Sequence, residues 1–391
     1  MRIAILCFGI GTIANVSGME KVFVDMANAF AEHGHEVWSV WNDGPGIAPF
    51  YKFNESVHQV NLGLGKIKVP FLYKAKREIN KGLHRNVRNE VDIYKTNILV
   101  HHLKNRIDVN RLDCIVCHEF NSVMVANSLS GGKIPVVAMV HNSVEDQLAR
   151  LTELQRQEAS KADAYVVLMP SYIKEAEKLL TTRIVHIPNI VPQIKDSDLV
   201  NIDIEKTDYT IINIGRIEGR QKRQMILIKA FAQLADKYPN WKIKLFGPVG
   251  DSLYKEEITK FIIKNHLENK IKYCGITENS IEELKRADIF AFPSAYEGFS
   301  LALTEAMGAG LPAIGFKYAP SVGELILHEK TGLLAVDDDS FTYQLERLMG
   351  DSLLRKRLGM EAHNAMKQYA PEAVWQKWED LLFDFCDKYK R

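Results

Sequence analysis

Long hydrophobic runs are missing from this chain of 391 residues. None approaches the roughly 20 consecutive apolar residues that carry a helix across a bilayer. Cysteine is scarce and odd in number, with Cys7, Cys114, Cys117, Cys274 and Cys386 scattered along the chain. That usage excludes a disulfide-stapled secreted domain and fits reduced thiols in a cytoplasmic protein. Charge of one sign is not in excess either, because 50 Lys and Arg stand against 49 Asp and Glu. A balanced chain has no global attraction to nucleic acid, so no nucleic-acid partner is expected and any anion site must be a local cluster. Met1 to Phe8 is too short for the apolar core of a signal peptide and lacks a small-residue cleavage site, while it suits a first buried strand. What is present is globular: 46% hydrophobic and 25% charged residues, in a length that suggests two domains of ordinary size.

The most informative stretch runs from Pro293 to Pro312. Before it, Ala287 to Phe292 is the short apolar run of a parallel strand covered on both faces. After it, Leu301, Thr304, Glu305, Met307 and Gly308 lie along a helix that begins near Ser300 and stops at Gly310-Leu-Pro. A loop that enters a helix at the C-terminal edge of a parallel strand offers free N–H groups and a positive dipole end, which favours phosphate. Glu297 and Glu305 then stand near the rest of the ligand. A second cluster follows the strand Tyr209 to Ile214, where Gly215, Arg216, Arg220, Lys222 and Arg223 precede an amphipathic helix. Cations are unfavourable at a helix N-terminus, so four of them there call for an anion, and a nucleotide diphosphate suits a guanidinium fork and an ammonium point charge.

Other motifs carry less. Gly9, Gly11 and Ala14 imitate a dinucleotide fingerprint, but the apolar helical period starts later, at Met19, Val22, Phe23, Met26, Ala27 and Phe30. The loop therefore runs on to Ser17-Gly18-Met19-Glu20, where the helix opens. Cys114-Ile-Val-Cys117-His118 spells a haem attachment motif, yet Leu112 to Val116 reads as a buried strand and no export signal is present, so both cysteines are assigned to the core. His141 sits at the tip of the strand Ile134 to Val140, on the edge where α/β sheets bind ligands, and is preferred to His118 as a site residue. Asp337, Asp338 and Asp339 precede a helical pattern and are read as N-terminal capping rather than a metal site.

The sequence Pro-Ser-x-Tyr-Glu-Gly-Phe-x-Leu-x-x-x-Glu-Ala-Met-x-x-Gly-Leu-Pro, with Glu297 and Glu305 separated by seven residues, resembles the signature of the retaining glycosyltransferases of family four. The resemblance implies an α/β GT-B architecture, two facing Rossmann-like domains with parallel sheets and an interdomain cleft. It implies retaining transfer of a hexose-type sugar from a nucleotide-diphosphate sugar to a saccharide or lipid-linked acceptor, in polysaccharide, lipopolysaccharide or other glycoconjugate synthesis. No cofactor or bound metal is implied, and a UDP-sugar is favoured slightly over a GDP-sugar as donor. Arg216, Lys222, Glu297 and His141 take catalytic roles. Gly18, Gly215, Gly247, Ile276, Gly298, Phe299, Ser300, Leu301 and Glu305 bind the donor, with Glu297 on the sugar, Glu305 on the ribose and the backbone near Ile276 on the base. Gly18 matches the family's first loop, although Ser17 replaces its usual first glycine. Gly323-Glu324 to Leu333-Leu334 resembles the family's following strand and turn. Two alternatives remain: a GT-B nucleotide-sugar epimerase and an inactive sugar-nucleotide-binding module.

The linker Pro188 to Asp198 places the expected domains at 1–195, 196–368 and a closing helical segment 369–391 that returns to the first domain. Residues 66–111 hold twelve Lys or Arg against four Asp or Glu. One reading lays this segment on an anionic membrane surface, placing the protein peripherally on the inner face of the cytoplasmic membrane. The other is a solvated helix face whose Lys and Arg stems cover the core.

Overall fold

A computed structural model describes residues 1–9, 11–82, 89–148, 150–200 and 206–390. The chain forms two compact units, Met1–Pro188 with Trp375–Arg391, and Asn189–Val374. Of the basic segment 66–111, residues 83–88 lie outside the described residues.

The first unit is built on a seven-stranded parallel sheet. Its strands are β1 (Arg2–Cys7), β2 (Glu36–Trp41), β3 (His58–Asn61), β4 (Cys114–Cys117), β5 (Val136–Met139), β6 (Ala164–Val167) and β7 (Arg183–His186), in the spatial order β3-β2-β1-β4-β5-β6-β7. β4, β5 and β6 are buried at every residue, which is why they read as continuous apolar runs rather than alternations. Cys114 and Cys117 lie in that core, as the strand reading required. The helix Gly18–Glu32 buries Val22, Phe23, Met26, Ala27 and Phe30 on one stripe, and Asn89 caps the helix Glu90–Lys104 by accepting from the amides of Val91 and Asp92.

The second unit holds six parallel strands: β8 (Tyr209–Ile214), β9 (Trp241–Phe246), β10 (Ile271–Gly275), β11 (Ile289–Phe292), β12 (Ala313–Phe316) and β13 (Leu333–Ala335), ordered β10-β9-β8-β11-β12-β13. Both sheets thus reverse their strand order beside the first strand of the unit, at β1/β4 and at β8/β11. The loops leaving those strands diverge there and open a crevice at the strand ends. Asp337 caps the helix Asp338–Gly350 through a reciprocal box with Ser340, the role expected from its position.

One expectation fails here. Gly323-Glu324-Leu325 is not strand but the end of a short helix, Pro320–Leu325, with Pro320 in its first turn. A Cβ on Gly323 would meet the Lys317 carbonyl oxygen at 2.6 Å, so the glycine serves a tight return of helix onto loop, and only Leu333–Ala335 joins the sheet.

Candidate active site

The site in the second unit grows from two loops at the β8/β11 reversal. After β8, the chain folds around the Glu218 carboxylate, which accepts from the amides of Gln221 at 3.0 Å, Lys222 at 2.9 Å and Arg220 at 3.2 Å. The following helix, Gln224–Leu234, is opened by Arg223 in the left-handed region, φ 49°. The amide of Met225 donates to the hydroxyl oxygen of Tyr254 at 2.7 Å, so a tyrosine caps the helix from elsewhere in the fold. Burial pushes that phenol up to about 12, which keeps it neutral as an acceptor.

The loop is then tied to the one after β11. The Ala295 amide donates to the Gln221 carbonyl at 2.7 Å, and the Gln221 side chain donates to the Tyr296 carbonyl at 3.0 Å. This lacing brings Lys222 Nζ to 2.6 Å from Glu297 Oε1, with the ammonium 5.2 Å from the centre of the Phe292 ring. A Cβ on Gly215 would stand 3.4 Å from Lys222 Cδ, so the lysine stem runs close along the glycine. Ser300 caps the helix Leu301–Gly308, accepting from the Leu303 amide through Oγ. The first amides of a helix have no intrahelical acceptor. Glu305, one buried turn further in, accepts from Ser280 Oγ at 2.7 Å.

The four cations of the β8 loop divide. Arg216 is exposed, with its stem against Gly250, and Arg220 is exposed as well. Arg223 is a structural clamp: its Nε donates to the Pro293 carbonyl at 3.1 Å, its Nη2 bonds Tyr318, and its guanidinium lies 5.0 Å from the Phe316 ring centre. The crowding of positive charge at this helix start is therefore offset in part by the protein, through Glu297 on Lys222 and the aromatic rings beside Arg223, and the demand for an outside anion falls first on the exposed Arg216 and Arg220.

The remaining candidates fall nearby or stand apart. Gly247 has φ 136°, donates from its amide to the Gly275 carbonyl at 2.8 Å and accepts from Tyr273 Oη at 2.8 Å. Ile276, half exposed, follows β10 and Gly275. Gly298 is buried, and the Phe299 ring packs edge-on against Tyr369 with centres 5.3 Å apart. Phe299 can therefore meet a ligand through its backbone and not through its ring. Gly18 and His141 belong to the first unit. Gly18 is the exposed first residue of its helix, and Ser17 bonds the buried Glu20.

His118 and His141 are not alternatives. The strands β4 and β5 are neighbours, so their tips deliver both rings to one place, with His141 Nε2 2.9 Å from His118 Nδ1. Burial drives His141 down to about 4 and His118 well below its usual value, the latter also through its neighbour. Both are neutral at physiological pH.

Sequence alone missed Glu218, Tyr254 and Ser280. The only available signal was a carboxylate within two to four residues of several loop amides, which holds for Glu218 alone.

The description "Glycosyltransferase Family 4" matches residues 16–193, and "Glycosyl transferases group 1" matches residues 195–368. The chain is a GT-B glycosyltransferase of this family 4/group 1 type. An uncharacterized glycosyltransferase of Haemophilus influenzae is 25% identical to this glycosyltransferase, across 96% of the chain and 99% of the relative. An amylovoran biosynthesis glycosyltransferase of Erwinia amylovora is 27% identical, across 64% of the chain and 70% of the relative. Among solved structures, HepE of Anabaena, in complex with UDP and glucose, matches the glycosyltransferase with a TM-score of 0.69 over 97% of this chain and 99% of that one, at 16% identity. The fold and the transferase class therefore agree, and synthesis of polysaccharides or other glycoconjugates is the field in which such relatives work.

Proposed function

We propose that the glycosyltransferase moves a hexose-type sugar, with retention of its anomeric configuration, from a UDP-sugar to a saccharide or lipid-linked acceptor. The observation that carries this reading is the Lys222–Glu297 pair, 2.6 Å apart, beside the opening turn of the helix Leu301–Gly308 and at the strand-order reversal where α/β sheets bind ligands. A cation, a carboxylate and a helix N-terminus in one loop pair suit a ligand with both a phosphate and a sugar hydroxyl. The solved relative that holds UDP and glucose supports the choice of base.

The chemistry follows from charge. The bond between C1 and the diphosphate oxygen breaks, and the acceptor oxygen bonds to C1 from the same face. The acceptor's proton passes to the departing phosphate. Negative charge grows on that phosphate as the bond opens, and fixed donors aimed at it stabilise the transition state more than the ground state. Arg216, Lys222 and the amides of Gly298 to Leu301 are assigned to this charge, Glu297 to a sugar hydroxyl and Glu305 to the ribose. Gly215 and Gly247 let the backbone approach the diphosphate, and the chain near Ile276 meets the base. His141 and Gly18 are assigned to the donor from the first unit. No metal is needed in this scheme, because protein cations and the helix dipole supply the positive charge.

A thermal-shift panel of UDP, GDP, ADP and CMP tests the reading. UDP at about 100 times its Kd is expected to stabilise by roughly 2.7 kcal/mol, a shift of several degrees. No shift with any of the four nucleotides would sink it.

Among the described residues, no helix is long and apolar enough to cross a membrane. The helix Phe71–Gly82 exposes Phe71 (83%), Leu72 (61%) and Ile79 (61%) along with Lys74, Lys76 and Arg77. We propose that this helix rests on an anionic inner leaflet, near a lipid-linked acceptor, since apolar anchors flanked by basic residues suit that surface. Sedimentation with vesicles containing anionic lipid is expected to pull down the wild type, and the Phe71→Ser/Leu72→Ser variant several-fold less. Equal sedimentation with purely neutral vesicles would remove the membrane assignment.

A further inference from the structure

The histidine pair at the tips of β4 and β5 specifies more than its position. His118 is fully buried, and three groups enclose its ring. Phe23 meets it edge-on with centres 5.3 Å apart, the Met26 thioether sulfur lies 3.3 Å from Nε2, and His141 Nε2 lies 2.9 Å from Nδ1. The backbone amide of His118 is committed to the Leu6 carbonyl. The neighbouring Glu119 carboxylate is committed to the amides of Phe8, Asn121 and Ser122 and to the Ser122 hydroxyl. Among the described residues, neither histidine is bonded to a carboxylate.

The proton positions follow from these partners. A thioether is only a weak acceptor and donates nothing. A bare Nε2 on His118 would face sulfur lone pairs in a dry environment, so the proton of His118 belongs on Nε2. Its Nδ1 is then a lone pair, and the 2.9 Å contact requires His141 to donate through Nε2–H. Both rings are neutral, so His141 has no second proton to place.

We propose that His118 is a positioning residue that holds His141 as the Nε2–H tautomer, leaving His141 Nδ1 as a bare acceptor for a ligand hydroxyl. The chemistry excludes a phosphate oxygen at this nitrogen, because two lone pairs would meet. If the transferase reading holds, the hydroxyl is one of the sugar's, and that last step alone rests on it.

Long-range nitrogen-15 NMR on free protein labelled at histidine reads the tautomers directly, without any ligand. Both His118 and His141 are expected to show a protonated Nε2 and a bare Nδ1; a protonated Nδ1 on His141 would overturn the proposal. Two variants test the positioning. In His118→Asn, the amide oxygen stands near the place of Nδ1 and keeps an acceptor for His141, whereas His118→Leu removes it. The asparagine variant is expected to retain the His141 tautomer and kcat/KM within a few-fold. The leucine variant is expected to give mixed tautomers and to lose about 10- to 100-fold in kcat/KM, the range for one buried hydrogen bond lost. Its UDP-induced thermal shift should match the wild type, since UDP carries no sugar. Adding His118→Leu to His141→Ala should cost less than about twofold more.

Equal losses in the asparagine and leucine variants would reduce His118 to packing. A wild-type protein that shows the expected tautomers but transfers no sugar would instead count against the transferase reading.

Discussion

Lys222→Ala is expected to lower kcat by about 10²- to 10³-fold, the usual cost of one donor aimed at a developing oxyanion. The ammonium is held in place before any ligand arrives, 2.6 Å from Glu297 and over the face of Phe292, so little reorganisation is left to the reaction step. The same pairing complicates the alanine variant, because it also takes the ammonium away from the Glu297 carboxylate, which is 6% exposed. Removing one partner of a buried ion pair destabilises on its own account. Lys222→Met controls for the lost packing by keeping an apolar stem over Phe292. In the double variant Lys222→Met/Glu297→Gln the carboxylate charge is gone as well. Turnover should fall comparably in Lys222→Ala and Lys222→Met, while the melting temperature should fall most in the alanine variant and recover in the double one. Near-wild-type turnover in both single variants would remove Lys222 from the phosphate role.

Gly247→Ala carries the largest expected structural effect. At φ 136° the residue occupies backbone space that side chains rarely enter, and its Cβ would lie 2.2 Å from the Gly215 carbonyl oxygen and 2.6 Å from the carbonyl carbon. The obstacle is backbone, which cannot rotate away as a side-chain tip can. The same glycine joins the ends of β8, β9 and β10, through its bond to Gly275 and the Tyr273 hydroxyl and through the Gly215 amide on the Phe246 carbonyl at 2.9 Å. Strain and overpacking together should cost roughly 2 to 5 kcal/mol, on the order of 10 °C in the melting of the second unit by calorimetry. Gly250→Ala is the control, since the nearest atoms to its Cβ, Arg216 Cδ at 2.5 Å and Cγ at 2.6 Å, belong to an exposed side chain that can turn away rather than to backbone. A Gly247→Ala protein that melts like the wild type would show that the β8 loop can shift at little cost.

How legible these features were depended on whether the controlling contact was local. β11 was plain in the sequence because a strand covered on both faces shows as an unbroken apolar run, and the helix start near Ser300 was plain because its apolar period and its Gly-Leu-Pro stop are local. β3 was not visible. It is an edge strand of polar, half-exposed residues that pairs only with β2, so its order comes from the ladder and not from its own composition. Tyr254 reaches the amide of Met225 from 29 residues away, and no local pattern predicts that. His118 and His141 looked like competitors because 23 residues separate them. Only the lateral pairing of β4 with β5 makes them partners. Arg223 counted among four cations in want of an anion because composition counts charges without saying which are already engaged.

The helix Pro371–Lys390 returns to the first unit from residue 375 onward. There Trp375 and Trp378 pack on Phe30, Glu379 Oε1 lies 3.0 Å from His33 Nδ1 and 3.1 Å from His35 Nε2, and Cys386 lies against Met1 and the Asp113 carbonyl. During synthesis the N-terminal unit therefore cannot close over Phe30 until the whole second unit has been translated. Ribosome-bound intermediates keep that apolar seam exposed for the interval, at about 5 to 20 residues per second. The first unit is thus discontinuous in the chain, and its seam at Phe30 waits on a segment that follows the whole of the second unit.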